Sequence, residues 1–137
     1  MLVRSLVVIV LLLVGLAGIA QSTPPPVSAT RHVKTLVLGA GCFWGAEKGY
    51  EALPGVIDAV SGYADGRGVE PDYRAISSPA RRSDPDNYAE VVEVHYNPEV
   101  LSTRELLEHF FEAHDPTQRD RQGNDIGTQY RSTILYV

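Results

Sequence analysis

The chain contains 137 residues, of which 44% are hydrophobic and 21% are charged, values typical of one globular domain. This composition excludes collagen-like, disordered and multi-span membrane proteins. With 12 Lys and Arg against 17 Asp and Glu, the net charge of −5 provides no basic surface for nucleic acid or anionic lipid. The single cysteine excludes an internal disulfide framework and a multi-thiolate zinc site within this sequence.

Residues 1–20 have the pattern of a secretory signal peptide. Arg4 precedes an uncharged, apolar stretch at 5–20 that ends in the small-x-small sequence Gly18-Ile19-Ala20. A membrane anchor is the competing interpretation, but the stretch is shorter than the ~20 apolar residues that span a bilayer. We therefore expect a secreted or periplasmic protein with no stable membrane span after cleavage, and a membrane-anchored one if the signal stays uncleaved.

Residues 21–30 follow as a Pro-rich linker. They contain Pro24-Pro25-Pro26 among small polar residues, a composition typical of an extended spacer. The folded domain is therefore predicted over residues 31–137.

Strand-like segments alternate with helical ones in this domain. The strands are rich in β-branched and aromatic residues, and the first is apolar enough to be covered on both faces. They are predicted at 34–40, 56–64, 89–96 and 131–137.

Two segments have helical periodicity. The first begins at Phe43 and is ended by Pro54-Gly55. The second is predicted over residues 103–113, because Ser102 and Glu105 form a capping box in front of an amphipathic run. The apolar stripe of the first helix consists of Phe43, Ala46, Tyr50 and Leu53.

The element order βαββαβ predicts an α+β protein with a ferredoxin-like α/β sandwich. A mixed sheet would carry both helices on one face. Residues 65–88 and 115–130 fit no strand or helix, and loops of this length in a compact domain are usually functional or disordered. We therefore expect the long loops to contribute to a functional site.

Cys42 lies between the first strand and the first helix, in Gly41-Cys42-Phe43-Trp44-Gly45. The first amides of a helix lack backbone partners and carry partial positive charge, so a thiolate is stabilised there. A reactive thiol is plausible on these grounds. A buried cysteine that packs as a small hydrophobe is the alternative, and position alone leaves both open.

Glu90 is a candidate general acid. Alternation along the strand at 89–96 places it on the same face as Val92, Val94 and Tyr96. Desolvation disfavours the charged form of a buried carboxyl, so Glu90 would keep a proton near neutral pH. An exposed carboxylate at the end of the strand is the alternative.

Other candidate positions are ambiguous when taken singly. Phe43 belongs to the helix's apolar stripe, whereas Trp44 does not and could face a cleft that holds an apolar ligand group. Asp125 is a turn former and Tyr130 precedes a strand.

Taken together, the motifs resemble those of the A-type peptide methionine sulfoxide reductases. The resemblance covers nearly all of the chain from Thr35 onwards. The matching motifs are Gly41-Cys42-Phe43-Trp44-Gly45, Ser61-Gly62-Tyr63, Pro71-Asp72-Tyr73-Arg74, Ala89-Glu90-Val91-Val92, Asn97-Pro98, His114-Asp115-Pro116 and Arg121 to Ser132.

The resemblance implies a role for each candidate. Cys42 would attack the sulfoxide sulfur, and Glu90 would protonate the sulfoxide oxygen, which is otherwise a poor leaving group. The products would be methionine and a Cys42 sulfenic acid that a thiol then reduces. For substrate binding, Phe43 and Trp44 would surround the methyl group, Tyr73 and Tyr130 would hydrogen-bond the oxygen, and Asp125 would order the site.

The resemblance also implies the partners. The substrate would be methionine S-sulfoxide, free or in oxidised proteins, in a protein-repair role under oxidative stress. We expect no cofactor, an external thiol reductant such as thioredoxin or dithiothreitol, and a monomer. Scattered His32, His95, His109 and His114 imply no metal site.

The chain also departs from the family pattern. Asn87-Tyr88 replaces a usual Gly-His pair, and Ser77 stands where some relatives have a second cysteine. Family members continue beyond the last strand, so we expect either that the C-terminal part of the domain is missing or that the chain depends on an external thiol.

Three other functions are alternatives to this interpretation. A papain-like cysteine hydrolase requires an earlier Cys and a distant downstream His, and this sequence provides neither. The glycine spacing at Gly39, Gly41 and Gly45 is wrong for a dinucleotide-binding loop. A truncated, non-catalytic relative that binds oxidised methionine peptides remains open at this point.

Overall fold

The strands of the computed structural model, which describes residues 32–136, form one four-stranded sheet and one small hairpin. The sheet consists of β1 (Lys34–Gly39), β2 (Val56–Ala64), β3 (Ala89–Tyr96) and β6 (Thr133–Tyr136). The hairpin consists of β4 (Arg121–Gln122) and β5 (Asp125–Ile126). The helices are α1 (Phe43–Glu51), α2 (Tyr73–Ile76) and α3 (Thr103–Ala113), with a 3-10 turn at Thr128–Tyr130.

The strand order in the sheet is β2-β3-β1-β6. This arrangement, together with the order of the main elements, confirms the predicted ferredoxin-like sandwich. The predicted mixed sheet is wrong, because every pairing in the described sheet is antiparallel. The reason is that β3 lies between β1 and β2, so the two strands joined by α1 never pair with each other.

The main core lies between the sheet and the two long helices. Leu36 and Leu38 of β1 point into it, whereas Val37 belongs to a smaller cluster on the other face. The predicted stripe of α1 packs here, with Phe43 and Tyr50 buried. Other buried members are Val92, Val94, Tyr96, Leu106 and Phe110.

The predicted capping box fixes the start of α3. The Ser102 N–H donates to Glu105 Oε2 over 2.8 Å, and Ser102 Oγ accepts the Glu105 N–H over 3.2 Å. The helix spans Thr103–Ala113, as predicted. At the end of α3, His114 Nδ1 lies 2.6 Å from the Phe110 carbonyl oxygen, and His114 Nε2 lies 2.8 Å from Ser132 Oγ. The second contact connects α3 to the segment before β6.

The long segments predicted as loops contain short elements. Asp72 caps α2 by accepting the Ala75 N–H over 2.7 Å, and Gly123, with φ +59°, lies in the turn between β4 and β5. The last strand begins at Thr133 instead of residue 131, because Arg131 ends the 3-10 turn.

Several predictions concern residues outside the described range. These are the signal peptide at 1–20, the linker at 21–30, the first residue of the domain at 31, and the end of the last strand at Val137. Between residues 32 and 136, no helix has the length and apolar character needed to cross a membrane.

Candidate active site

Cys42 is the N-cap residue of α1, with φ −60° and ψ 121°. Its side chain is exposed, so the alternative of a buried packing cysteine does not hold. The thiol therefore lies at the N-terminal end of α1. Gly41 makes the turn before it at φ +93°, and a side chain at this position would collide with Gln122, 2.8 Å from the ideal Cβ. Gly41 thus lets the β4–β5 hairpin approach the backbone next to Cys42.

Glu90 brings a buried carboxyl to the same helix end. Its side chain is 1% exposed, and Oε2 accepts a hydrogen bond from the Phe43 N–H over 3.1 Å. Burial raises the pKa of Glu90 above its usual range, and the Asp125 carboxylate adds to this, whereas the Phe43 hydrogen bond opposes it. The predicted buried face of β3 is thus correct for this residue, and the direction of the shift favours a protonated acid.

Two aromatic residues, Phe43 and Trp44, directly follow Cys42 in the chain. The rings of Phe43 and Trp44 have centroids 6.4 Å apart, and Phe43 packs against Tyr63 at 5.4 Å. Phe43 is buried, but Trp44 is 76% exposed. Trp44 therefore lies outside the core, in keeping with its position off the apolar stripe, and the expectation that it faces a cleft holding an apolar ligand group stays a prediction.

Tyr130 and Tyr73 come from the two segments predicted as loops. Burial raises the pKa of the half-buried Tyr130, and the charges of Glu90, Asp125, Tyr73 and Cys42 act in the same direction. The effect of these charges indicates that Tyr130 lies near the four other groups. Tyr73 is exposed on α2, and Asp125 is exposed on β5.

Sequence reasoning assigned no role to Tyr63, although its motif was recognised. Tyr63 lies directly across from Glu90 in the β2–β3 register. Burial raises the pKa of its phenol, followed by the charges of Glu90, Asp72 and Tyr73. Alternation along β2 from the buried Ala59 would have placed Tyr63 on the helix side of the sheet, which is the signal that could have identified it.

Arg131 was also missed as part of the site. Its guanidinium donates 2.9 Å hydrogen bonds to the carbonyls of Asn87 and Thr128. It also donates to the Asp65 carbonyl over 2.6 Å. Asn87 precedes Glu90, Thr128 precedes Tyr130, and Asp65 follows Tyr63 in the chain, so one side chain joins three segments of the site.

The described residues do not bring three His, Cys, Asp or Glu side chains together as a potential metal site. The site instead combines a thiol, a carboxylic acid and an aromatic surface. Such a pair can combine nucleophilic attack with proton donation.

The curated proteins that the chain matches in sequence include several peptide methionine sulfoxide reductases. The chain is 49% identical to the peptide methionine sulfoxide reductase MsrA of Natronomonas pharaonis over 102 residues, which is 74% of this chain and 54% of that protein. It is 44% identical to MsrA of Sulfolobus acidocaldarius over 104 residues, or 76% of this chain and 56% of that protein. The chain therefore spans about half the length of the curated relatives it matches.

Two solved structures have folds similar to that of this chain. Methionine sulfoxide reductase A of Corynebacterium diphtheriae superposes with a TM-score of 0.68 at 42% identity, covering 77% of this chain and 47% of that one. Mxr1 from Saccharomyces cerevisiae in its reduced form gives 0.62 at 42% identity, covering 75% and 59%.

The family model for peptide methionine sulfoxide reductase matches residues 34–137, which includes the helix end with Cys42, the strand with Glu90 and the hairpin segment with Asp125. The match extends over most of the sequence and over all elements of the four-stranded sheet. The chain therefore belongs to the peptide methionine sulfoxide reductase family.

Proposed function

We propose that this chain is a peptide-methionine (S)-S-oxide reductase that acts on methionine sulfoxide, free or in oxidised proteins. The observation that carries the proposal is the hydrogen bond between the Phe43 N–H and the buried Glu90 carboxyl. Since Cys42 caps the helix that Phe43 begins, this bond holds an acid at the helix end that carries the exposed thiol.

The first step uses these two groups. The Cys42 thiolate attacks the sulfoxide sulfur while Glu90 gives its proton to the sulfoxide oxygen. Two electrons pass from the Cys42 sulfur to the substrate sulfur. The transient S–S bond and the S–O bond of the substrate then break as the protonated oxygen moves to the Cys42 sulfur, so methionine leaves and Cys42 becomes a sulfenic acid.

The surrounding aromatic residues support binding of this substrate. Phe43 and the exposed Trp44 offer an apolar surface of a size suited to the sulfoxide's methyl group. Tyr130, whose phenol keeps its proton because its pKa is raised, can donate a hydrogen bond to the sulfoxide oxygen. Tyr73 would be a second donor, and Asp125 would order the site.

The second half of the reaction needs a thiol. The 137 residues contain one cysteine, so the second sulfur of any disulfide must come from outside these residues. An external reductant such as thioredoxin or dithiothreitol would return Cys42 to its thiol, with no cofactor. We propose a monomer that repairs proteins after oxidative stress.

A secreted or periplasmic location is part of the proposal. It rests on the signal-like pattern of residues 1–20, with Arg4 before an apolar stretch and small residues at its end. N-terminal sequencing of the protein recovered from the extracellular or periplasmic fraction tests it. A mature protein that retains residues 1–20 would contradict cleavage.

A single-turnover assay tests the reductase activity. The protein is mixed with a smaller amount of methionine S-sulfoxide without any thiol, and methionine is quantified together with the Cys42 sulfenic acid. We expect equal amounts of both products from the unaltered protein and none from Cys42→Ser, which should keep the fold because the side chain is exposed. Binding of oxidised peptides without methionine formation would instead show a non-catalytic relative.

A further inference from the structure

Asn87 is a buried polar residue between α2 and β3 whose side chain has no part in the proposed reaction. It is fully buried, and its Nδ2 donates a 2.9 Å hydrogen bond to the Ile76 carbonyl. Ile76 is the last residue of α2. Asn87 Oδ1 has no partner among residues 32–136, so the bond to Ile76 is the one described polar contact of this side chain. The amide of Asn87 is therefore directed at the end of α2.

The backbone of Asn87 is held independently of its side chain. Its N–H donates to the Asp84 carbonyl over 3.1 Å, and its carbonyl accepts the 2.9 Å hydrogen bond from Arg131. Two residues later the chain enters β3 at Ala89, which is fully buried. Because this backbone is anchored next to the sheet, the side-chain amide can hold the end of α2 against it.

α2 depends on such contacts because it is short. It contains four residues, and isolated helices shorter than ~12 residues are marginal in water, since nucleation costs more than so few hydrogen bonds return. Its first residue, Tyr73, is exposed, whereas Ile76 is fully buried. Two anchors of α2 therefore lie at its C-terminal end: the buried Ile76 side chain and the Asn87 bond to the Ile76 carbonyl.

Residues 77–87, which we call the bridging segment, also hold the turn that carries Tyr130. The Thr128 N–H donates to the Arg82 carbonyl over 2.9 Å, and Thr128 Oγ1 donates to the Arg81 carbonyl over 3.1 Å. Thr128 and Tyr130 are the first and last residues of the 3-10 turn. The bridging segment is therefore bonded to both parts of the chain that carry the phenols proposed to bind the sulfoxide oxygen.

The two phenols lie near each other. The charge of Tyr73 adds to the rise in the pKa of Tyr130. Tyr73 is one turn from the end of α2, and its carbonyl accepts the Ser77 N–H over 3.1 Å. A movement of the Ile76 carbonyl away from Asn87 would therefore also move Tyr73 relative to Tyr130. A hydrogen bond from Tyr73 to a shared oxygen would weaken, because such bonds depend steeply on distance and angle.

We propose that Asn87 is a positioning residue, whose buried amide holds α2 so that Tyr73 and Tyr130 bind the sulfoxide oxygen together. This inference rests on the proposed function, which supplies that oxygen. Because Asn87 is fully buried, it acts through Tyr73 instead of contacting the substrate. Loss of the amide should therefore matter only while the Tyr73 hydroxyl is present.

A double-mutant cycle tests this dependence. With methionine S-sulfoxide and dithiothreitol, Tyr73→Phe and Asn87→Ala should each lower kcat/KM by roughly threefold to tenfold, the effect of one hydrogen bond. Added to Tyr73→Phe, Asn87→Ala should lower kcat/KM by less than about twofold, because the hydroxyl that it positions is already absent. Equal losses from Asn87→Ala in both backgrounds, or no loss in either, would overturn the proposal.

Asn87→Gly provides a second variant if Asn87→Ala does not fold. Glycine is usual at this position in the family, so the fold should accept it, and the same cycle is expected. Thr103→Val is the matched control. Thr103 Oγ1 lies 2.8 Å from the Tyr96 hydroxyl, so this variant removes one hydrogen bond at the opposite end of β3. It should leave kcat/KM unchanged, and a loss equal to that of Asn87→Ala would overturn the positioning role.

Amide hydrogen exchange gives a readout that does not depend on the reaction. The Ile76 and Ser77 N–H groups donate to carbonyls one turn earlier, over 3.0 and 3.1 Å. Asn87→Ala should raise their exchange rates roughly tenfold relative to amides of β1 and β3, whereas Thr103→Val should not. Unchanged relative rates would overturn the proposal. An unaltered protein that forms no methionine would refute the proposed function, whereas methionine formation with equal losses in both backgrounds would refute only the role of Asn87.

Discussion

The Phe43 N–H donates a 3.1 Å hydrogen bond to Oε2 of Glu90, across a separation of 47 positions in the chain. Phe43 is the first residue of α1, and Glu90 is the second residue of β3. The bond therefore fixes the start of the helix that carries Cys42 to the strand that carries the acid. The same bond opposes the effect of burial on the Glu90 carboxyl, yet the pKa of Glu90 is still raised.

Glu90→Gln should lower the rate of methionine formation by about 10²- to 10⁴-fold, the usual contribution of a positioned acid. In the unaltered protein, the rate should fall as pH rises through the raised pKa of Glu90, because the carboxyl must hold a proton to donate it. The variant should lack this alkaline fall. Single-turnover rates measured across pH for both proteins provide the check.

Glu93→Gln is the matched control for that experiment. Glu93 lies on the same strand but is exposed, and it forms a surface pair with His95 at 2.7 Å. Its replacement should change neither the rate nor the pH profile. If the Glu90 variant kept both as well, Glu90 would not be the proton donor.

The same carboxyl should make the protein less stable as pH rises. A pKa raised above the ordinary value of 4.5 means that folded Glu90 keeps a proton over a pH range in which the unfolded chain releases it. The stability contributed by Glu90 is therefore fully present below 4.5 and is lost as pH rises through the raised pKa.

Glu90→Gln removes this titration while its side-chain oxygen can still accept the Phe43 N–H. The free energy of unfolding of the variant minus that of the unaltered protein should therefore increase with pH across the same range and then level off. Urea unfolding at a series of pH values measures this difference. A difference that stayed constant with pH would show that the folded and unfolded states hold the Glu90 proton equally.

Trp44→Ala should weaken substrate binding with little loss of stability. Trp44 is 76% exposed, so its removal leaves the core intact, but the apolar surface for the methyl group is lost. We expect KM for methionine sulfoxide to rise about tenfold, within the range for burying one large apolar side chain. By contrast, Phe43→Ala should lower the free energy of unfolding by ~3–5 kcal/mol, because Phe43 is a core residue.

Tyr136→Ala provides the comparison for Trp44. This aromatic residue is 88% exposed at the end of β6, where it pairs in register with Leu36 and has no part in the proposed site. Steady-state kinetics and thermal unfolding of the three variants separate binding from stability. A Trp44 variant with an unchanged KM would remove Trp44 from the substrate surface.

The sequence was most informative where a local pattern decides the structure. The alternation in β3 placed Glu90 among buried residues, and the capping box of Ser102 and Glu105 gave the start of α3. Both depend on neighbours within a few positions. The ferredoxin-like order follows from the succession of these elements, although the antiparallel pairing depends on where β3 inserts.

Relationships between distant segments could not be derived in this way. Tyr63 faces Glu90 because of the β2–β3 register, and Gly41 admits Gln122 from a hairpin that begins about 80 positions later in the chain. No periodicity in the sequence records these contacts. The hydrogen bonds of Arg131 are equally unpredictable from a local pattern, because its carbonyl partners lie in three separate segments.

Arg131→Gln should affect both stability and catalysis. The carbonyls of Asn87 and Thr128 would each lose a donor, and the free energy of unfolding should fall by ~1–3 kcal/mol. Because these carbonyls fix the chain just before Glu90 and Tyr130, kcat should fall roughly tenfold or more through misplacement of the acid and the phenol. Arg131→Lys should recover part of both losses, since its ammonium group can still donate to one or two of the carbonyls.

Asp65→Asn separates the ion pair from the carbonyl contacts of Arg131. The Asp65 carboxylate lies 3.1 Å from the guanidinium and is half exposed, so its loss should cost about 0–1 kcal/mol and leave kcat intact. Urea unfolding and the pH dependence of kcat are measured for all three variants. If Arg131→Gln lost stability but kept kcat and the alkaline fall attributed to Glu90, Arg131 would hold the fold together without positioning the reacting groups.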